Sequence, residues 1–284
     1  MEKHYQFAGI EITVYTPDDT GYKYEHFLAP FRTEKVSAPH RFEFELVDEL
    51  SPPEKSLLTE QAGYSVYGDS DTQIRYIGAG YDPHIRAVHN GKLHHVQVKK
   101  SQYIKEISVK TVLDAIALEH LAARSNSFVF HCSYIEYKGK AILFTAPSGT
   151  GKSTQAELWA KHRGAEIVNG DRAVVRLADS LFLAEGIPFA GSSKYCNNRS
   201  LPVQAIVYLG QDSKTTIRKL RGYEAFYKIW EGVSVNTWDK TDMESVSSMV
   251  QKVAEGIPIY HLTCTPDESA VIALEEVLRK QEIL

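Results

Sequence analysis

The sequence predicts a two-domain protein, with a smaller β-rich (α+β) N-terminal domain over residues 1–126 and an α/β domain over residues 127–284. Three observations lead to this fold class. A chain of 284 residues exceeds the usual size of one domain. Short β-branched and aromatic runs fill residues 7–100, whereas strand and helix patterns alternate in the second half. A glycine-rich segment in that second half lies between a strand pattern and a helix pattern.

Composition and charge exclude several classes of protein. Hydrophobic residues make up 43% of the chain and charged residues 24%, which is typical of a globular protein. The formal net charge of −4 disfavours nucleic acid as the main partner. The N-terminus has no apolar signal segment, and no run of about 18 apolar residues occurs, so we expect no membrane span. Three widely spaced cysteines favour a reduced, cytoplasmic protein.

Strand signals dominate the N-terminal domain. The predicted strands are GIEITVY, RFEFELV, YSVYG, TQIRYIG, IRAVHNG and KLHHVQV. Asn90-Gly91 between the last two predicts a two-residue hairpin turn, and the paired prolines of residues 51–56 predict a loop. Apolar residues at helical spacing predict a helix over residues 108–126, which we take as the hinge between the domains.

The second domain opens with two predicted strands, FVFHCSYIEY and KAILFTA, joined by a turn at Lys138-Gly139. A predicted helix, STQAELWAKH, follows the glycine-rich segment. The remaining predicted elements are the strand AEIVNGD, the hairpin AVVRLADSLFLAEG, the strand PVQAIVYLG, the helices GYEAFYKIWEG and ESVSSMVQKVAEG, the strand IPIYHLTC and the helix ESAVIALEEVLRKQ. This alternation predicts a mixed α/β domain.

The glycine-rich segment has the pattern of a phosphate-binding loop. Gly149 and Gly151 permit backbone conformations that turn several N–H groups toward one anion, and a helix N-terminus adds its partial positive charge. The string APSGTGKS matches the Walker A pattern GxxxxGK[ST] except that Ala146 replaces the first glycine. We therefore expect this loop to bind ATP through Ala146, Pro147, Ser148, Gly149, Thr150, Gly151, Lys152, Ser153 and Thr154.

Two side chains of this loop have specific expected roles. Lys152 is expected to reach the β- and γ-phosphates as a point charge, which makes it a catalytic residue. Ser153 is expected to offer its hydroxyl to Mg²⁺. ATP and Mg²⁺ are accordingly the expected cofactors.

The longer stretch HCSYIEYKGKAILFTAPSGTGKST resembles the catalytic domain of HPr kinase/phosphorylase and its bacterial relatives. That family shares its core with ATP-dependent phosphoenolpyruvate carboxykinase. In it a histidine opens a strand, a short turn follows, and the next strand leads into a loop of the form G-x-S-G-x-G-K-S/T. The resemblance covers roughly Phe128 to Leu209. It implies a phosphate-loop kinase fold and transfer of the γ-phosphate of ATP to a hydroxyl group.

The resemblance also implies the catalytic residues. The family carries two aspartates and an arginine at the end of the next strand, and this chain has IVNGDRAVV, with Gly170 in place of the first aspartate. In the family one carboxylate accepts the proton of the attacking hydroxyl and the other helps to hold magnesium. Asp171 is therefore expected to take either role. His131 is expected near the γ-phosphate, where an imidazole can orient a carboxylate or share a proton.

A third stretch, AEGIPFAGSSKYCNNRSLP, resembles the family's loop that faces the phosphate acceptor. Its polar groups suit an anionic or polar substrate. The expected substrate-binding residues are Ser192, Ser193, Asn198 and Arg199, and Glu185 is a further expected magnesium ligand. An exposed loop without a site has the same composition, so this alternative stays open.

The expected function is that of a kinase, a transferase that phosphorylates a serine or threonine of a peptide or protein. A small-molecule hydroxyl is the alternative acceptor, and a non-catalytic ATP sensor or an ATPase switch is the alternative function. Phosphoenolpyruvate carboxykinase activity is disfavoured because that enzyme needs further metal ligands and a longer chain. The N-terminal domain resembles no part of the HPr enzymes, so the identity of the phosphate acceptor stays open. The family often forms homo-oligomers, and the oligomeric state of this chain stays open as well.

Overall fold

The computed structural model describes residues 2–17, 25–69, 71–103, 115–191 and 193–281. Its internal contacts divide the chain into two units, Met1–Leu121 and Ala122–Leu284. Strands dominate the first unit, whereas strands and helices share the second. The protein is a mixed α/β protein with two sheets, as the sequence predicts.

The first unit is built on one sheet. Its described strands are β1 (Glu2–Phe7), β2 (Ile10–Tyr15), β3 (His40–Val47), β4 (Leu57–Gln61), β5 (Tyr64–Gly68), β6 (Thr72–Ala79), β7 (Asp82–Asn90) and β8 (Leu93–Lys99), in the order β1-β2-β3-β8-β7-β6-β5-β4. Short helices are α1 (Glu25–Leu28), a 3₁₀ turn (Ala29–Phe31), α2 (Lys100–Tyr103) and α3 (Leu118–Ala123). Asn90 pairs with Leu93, which confirms the hairpin, but its two turn residues are Gly91 and Lys92 rather than Asn90 and Gly91, because Asn90 is the last residue of β7. Of the helix predicted over residues 108–126, residues 108–114 lie outside the described residues, and α3 covers a part of the rest.

Three histidines form a hydrogen-bonded row inside this unit. His94 Nε2 lies 3.0 Å from His40 Nδ1, and His94 Nδ1 lies 3.0 Å from His89 Nδ1. The His94 ring also stacks on Phe42, with 4.2 Å between ring centroids. Burial, followed by the charge of His40, lowers the pKa of His94 to about 3, and burial lowers the pKa of His89 well below its usual value. Both histidines are therefore neutral in the folded protein near pH 7.

This histidine row predicts that the protein loses stability in mild acid. Below about pH 6.5 the unfolded chain binds protons that folded His89 and His94 do not, so the free energy of unfolding falls by up to about 1.4 kcal/mol per pH unit for each histidine. Urea unfolding followed by circular dichroism at pH 7.5 and 5.5 measures the loss. His94→Gln is expected to reduce the pH dependence, whereas the exposed control His95→Gln is expected to leave it unchanged. Equal pH dependence in all three proteins would contradict the buried neutral row.

The second unit places helices on both faces of its sheet. The strands are β9 (Ser127–His131), β10 (Ser133–Tyr137), β11 (Lys140–Thr145), β12 (Glu166–Asn169), β13 (Arg172–Ala178), β14 (Leu181–Glu185), β15 (Ser200–Gln211), β16 (Thr216–Leu220), β17 (Val233–Ser234) and β18 (Ile259–Cys264). The helices are α4 (Lys152–Arg163), α5 (Gly222–Trp230), α6 (Lys240–Gly256) and α7 (Glu268–Gln281). One buried cluster includes residues of α5 and α6, and the other includes residues of α4 and α7.

Three parallel strands define the functional edge of this sheet. β15 pairs in parallel with β11 on one side and with β18 on the other. The carboxyl ends of β11, β15 and β18 therefore lie at the same edge. Ligands of open α/β sheets bind outside the carboxyl ends of such strands.

The strand predicted over FVFHCSYIEY is in fact two strands. β9 ends at His131, β10 begins at Ser133, and Cys132 lies between them. β9 pairs with β13 and β17, whereas β10 pairs with β11 and β12. The prediction of one continuous strand over this segment is therefore wrong, because the chain changes partners at Cys132. His131 nevertheless lies close to the end of β11, because Thr145 Oγ1 donates a hydrogen bond to its carbonyl oxygen at 3.0 Å.

Candidate functional site

The glycine-rich loop connects β11 directly to α4. β11 ends at Thr145, and α4 begins at Lys152. Gly149 has a φ of +79° and Gly151 a φ of +114°, which residues with a Cβ atom rarely adopt. These two glycines therefore allow the backbone to turn tightly at the carboxyl edge of the sheet and enter a helix at once.

The N-terminus of α4 offers unneutralised positive charge. Within the described residues of this helix, no side chain caps the N-terminus and no acidic residue lies in the first turn. The first backbone N–H groups of a helix lack partners inside the helix and attract anions. Ser148, Ser153 and Thr154 are exposed around them. The loop thus presents N–H and hydroxyl donors on one surface.

Lys152 lies at the base of this loop and is largely buried. Its side chain is only 9% exposed, and its ammonium group donates a hydrogen bond to the Ala146 carbonyl oxygen at 3.0 Å. Burial lowers the pKa of Lys152, and the negative charge of Asp171 opposes this effect. The Lys152 ammonium group is therefore fixed by its hydrogen bond to the loop. It also interacts electrostatically with the Asp171 carboxylate.

Asp171 and His131 face each other beside Lys152. The closest distance between them, from His131 Nε2 to Asp171 Oδ1, is 3.7 Å, which is longer than a hydrogen bond. Burial, followed by the charge of Lys152, lowers the pKa of His131, whereas Asp171 raises it. The net effect keeps this imidazole neutral near pH 7. Arg172 Nε donates to the other oxygen of Asp171 at 3.2 Å. The three predicted catalytic residues therefore lie together.

Backbone hydrogen bonds hold this cluster to the sheet. The His131 N–H donates to the Gly232 carbonyl oxygen at 2.7 Å, while Thr145 Oγ1 donates to the His131 carbonyl. The Cys132 N–H donates to the Asp171 carbonyl oxygen at 3.0 Å. The break between β9 and β10 thus fixes Asp171 and His131 relative to β11.

Asn169 is a positioning residue that the sequence analysis missed. Its side chain is fully buried at the end of β12. Asn169 Oδ1 accepts the N–H groups of Asp171 and Arg172 at 2.9 and 3.0 Å, and Nδ2 donates to the carbonyl oxygens of Ile187 and Phe189 at 3.1 and 2.8 Å. One amide therefore joins the Asp171 turn to the loop after β14. An asparagine two residues before an aspartate at a strand end is the local signal for such a turn.

Asn169→Ala is expected to destabilise the second unit and to reduce the activity that depends on Asp171. The substitution leaves buried N–H and carbonyl groups without partners, at a cost of about 1–3 kcal/mol for each unsatisfied group. Urea unfolding measures the loss of stability, and an assay of the activity proposed below measures the second effect. Gln251→Ala, which removes an amide from the exposed face of α6, is the matched control. Wild-type stability and activity in Asn169→Ala would contradict the positioning role.

Two other predicted site residues, Glu185 and Arg199, form ion pairs away from Lys152, Asp171 and His131. Glu185, the expected magnesium ligand, is buried, and its Oε1 accepts Arg176 Nε and Nη2 at 2.9 and 2.6 Å. Arg199 pairs with Glu136 and lies 3.6 Å from Glu166. Within the described contacts neither residue touches Asp171 or Lys152. A ligand at either position would have to compete with these ion pairs.

The other predicted substrate-binding residues differ in their placement. Ser192 lies outside the described residues. Ser193 is half-buried and lies directly against Gly170, and Asn198 is exposed. Of this group, only Ser193 is therefore next to the Asp171 turn in the described structure.

A cavity of about 580 Å³ opens beside the glycine-rich loop. Its lining residues come from the loop, from α4 and from the carboxyl ends of β15 and β18, among them Gly149, Thr154, Gln155, Gln211, Cys264 and Pro266. Gln211 Nε2 donates to the Thr150 carbonyl oxygen at 3.3 Å, which ties the end of β15 to the loop. This volume lies within the range of small-molecule sites.

The family comparison covers the end of the first unit and most of the second. The model of the family described as SynChlorMet cassette protein ScmC matches residues 93–267, which is more than half of the chain. The chain belongs to the ScmC family. No curated protein matches it.

One solved structure similar to this ScmC-family chain is the Hpr(Ser) kinase/phosphatase from Coxiella burnetii. The identity is 11% and the TM-score 0.33, and the match covers 55% of this chain and 90% of that chain. At this TM-score the likeness carries no argument about the site. The chemistry of the ScmC-family chain therefore has to be inferred from its own residues. None of its helices in the described ranges combines the length and apolar character needed to cross a membrane.

The donor set in the ScmC-family chain fits a magnesium ion bound together with phosphate. Mg²⁺ prefers oxygen ligands and is commonly held by one or two protein oxygens together with substrate phosphates. The Ser153 hydroxyl is exposed in the first turn of α4, and the Asp171 side chain is 25% exposed. Ser153 is the residue that would hold the ion, and Asp171 is either its second ligand or a proton acceptor, the two roles that the sequence leaves open.

Proposed function

We propose that this ScmC-family chain is an ATP-dependent kinase that moves the γ-phosphate of Mg-ATP to a hydroxyl group on a peptide or protein. One observation carries the proposal. The glycine-rich loop, the buried Lys152 and the Asp171–His131 pair meet at the carboxyl edge of three parallel strands. This arrangement combines an anion-binding loop, a fixed cation and a proton acceptor within one site.

The residues of the site have different roles in the proposed reaction. The loop N–H groups and Lys152 bind the triphosphate and neutralise the charge that develops on it. The oxygen of the acceptor hydroxyl forms a bond to the γ-phosphorus, and Asp171 accepts the proton of that hydroxyl. The bond from the γ-phosphorus to the bridging oxygen breaks, and ADP leaves. Arg172 orients the Asp171 carboxylate through its hydrogen bond, and neutral His131 lies beside the other carboxylate oxygen, where it can share the proton. Bound Mg²⁺ supplies further charge neutralisation of the phosphates.

The cavity beside the loop supports a nucleotide rather than an isolated phosphate. Its volume of about 580 Å³ exceeds what an inorganic anion fills, and it opens beside Gly149 and Gly151. A nucleoside attached to phosphates in the loop can enter it. The loop and Lys152 would hold the phosphates of that nucleotide.

The test is transfer of labelled γ-phosphate from Mg-ATP. The purified protein is incubated with a desalted cell extract and, separately, with the small-molecule fraction of that extract, and Lys152→Ala serves as the blank. We expect label on a protein or peptide band. Label confined to the small-molecule fraction would replace the proposal with a metabolite kinase. ATP that is bound but stays intact in both fractions would contradict a kinase and favour a nucleotide sensor.

A further inference from the structure

Gly191 and Ser193 both pack directly on the segment that carries Asp171. A Cβ atom added to Gly170 would lie 2.2 Å from Ser193 Oγ, so the Ser193 hydroxyl fills the space of a side chain at position 170. A Cβ atom added to Gly191 would lie 2.8 Å from Asp171 Cγ and Oδ1. Gly170 thus permits the close approach of Ser193, and Gly191 permits that of Asp171. The segments that carry Ser193 and Asp171 therefore pack closely against each other.

The Ser193 hydroxyl is held in position by a hydrogen bond in which its oxygen is the acceptor. Its backbone N–H donates to the Ala190 carbonyl oxygen at 2.8 Å, and its Oγ accepts the Tyr195 N–H at 3.1 Å. A serine hydroxyl has one donor proton and two acceptor lone pairs. The described hydrogen bonds use the oxygen only as an acceptor. The proton therefore remains available to a neighbouring carboxylate.

The Asp171 carboxylate lies against Gly191, two residues from Ser193, and a carboxylate can accept a proton from a hydroxyl. Asp171 interacts electrostatically with Lys152 and lies 3.7 Å from His131. A hydroxyl that the fold holds beside such a group reacts as part of the same molecule, which removes the entropic cost of bringing an acceptor in from solution. Ser193 has this advantage over any external acceptor.

We infer that Ser193 is itself a phosphoryl acceptor, an autophosphorylation site. The inference rests on the proposed function. In the step, Ser193 Oγ forms a bond to the γ-phosphorus of ATP and the bond from that phosphorus to the bridging oxygen breaks. The Ser193 proton passes to the Asp171 carboxylate, and ADP leaves with the bridging oxygen. The product is a phosphoserine beside Asp171.

Mass spectrometric mapping of the full chain after incubation with Mg-ATP alone tests this inference. We expect phosphate on Ser193 in the wild-type protein and in Ser180→Ala, which removes an exposed serine from the turn between β13 and β14. We expect none at this position in Lys152→Ala or Asp171→Asn. Because the reaction takes place within one chain, the labelled fraction should rise with a rate constant that is independent of protein concentration.

Other outcomes separate this inference from the proposed function. A protein that binds ATP and labels an added acceptor but stays unmodified at Ser193 overturns the inference alone. Phosphate on a different residue, or a rate constant proportional to protein concentration, overturns it as well. A protein that binds no ATP by calorimetry overturns both proposals. Mapping on the wild-type chain keeps the test valid even where a variant folds poorly.

Discussion

Replacing Lys152 with alanine is expected to lower phosphoryl transfer by about two to three orders of magnitude. The wild-type ammonium group is largely buried and hydrogen bonded to Ala146, so its position is set before the phosphates arrive. A methyl group at this place leaves the charge that develops on the γ-phosphate without its fixed cation. Initial rates at saturating Mg-ATP measure the loss.

The matched control for this prediction is Lys161→Ala. Lys161 lies in the last turn of the same helix, where it is exposed. The two variants remove the same side chain from α4 at opposite ends. Similar rates in both would show that the position of Lys152 is irrelevant to turnover and would contradict the proposed site.

Asp171→Asn is expected to cost about 10²–10⁴-fold in turnover, the range for loss of a general base. Asparagine keeps the shape of the side chain but cannot accept the proton of the acceptor hydroxyl. Asp179→Asn, in the exposed turn after β13, is the control and is expected to retain wild-type turnover.

The same variant separates the two roles that the sequence leaves open for Asp171. If Asp171 acts as the base, Asp171→Asn binds Mg-ATP with wild-type affinity and loses turnover. If it acts as a magnesium ligand, the dissociation constant for Mg-ATP rises together with the loss of turnover. Wild-type turnover would exclude both roles.

The local part of the site could be predicted from the sequence. A buried strand, a loop with Gly149 and Gly151 and a helix without early acidic residues follow one another within a short segment. Neighbouring residues alone determine these elements, because backbone freedom and helix propensity are local properties. For the same reason the hairpin could be predicted from Gly91, although its turn is formed by Gly91 and Lys92 rather than by Asn90 and Gly91.

The pairing of distant segments could not be predicted in the same way. The apolar pattern of FVFHCSYIEY is continuous across Cys132, so nothing local indicates that β9 and β10 have different partners. The role of Asn169 depends on the carbonyl oxygens of Ile187 and Phe189, which only the folded chain brings close. The contact of Ser193 with Gly170 likewise depends on the course of the loop after β14.

The central claim is that the glycine-rich loop and Lys152 bind the phosphates of ATP. Isothermal titration of the full chain with Mg-ATP tests it most directly, with Lys152→Ala and Lys161→Ala titrated in parallel. We expect saturable binding at one site per chain, retained in Lys161→Ala and strongly weakened in Lys152→Ala. Absence of binding to the wild-type protein, or equal affinity in all three proteins, would contradict it.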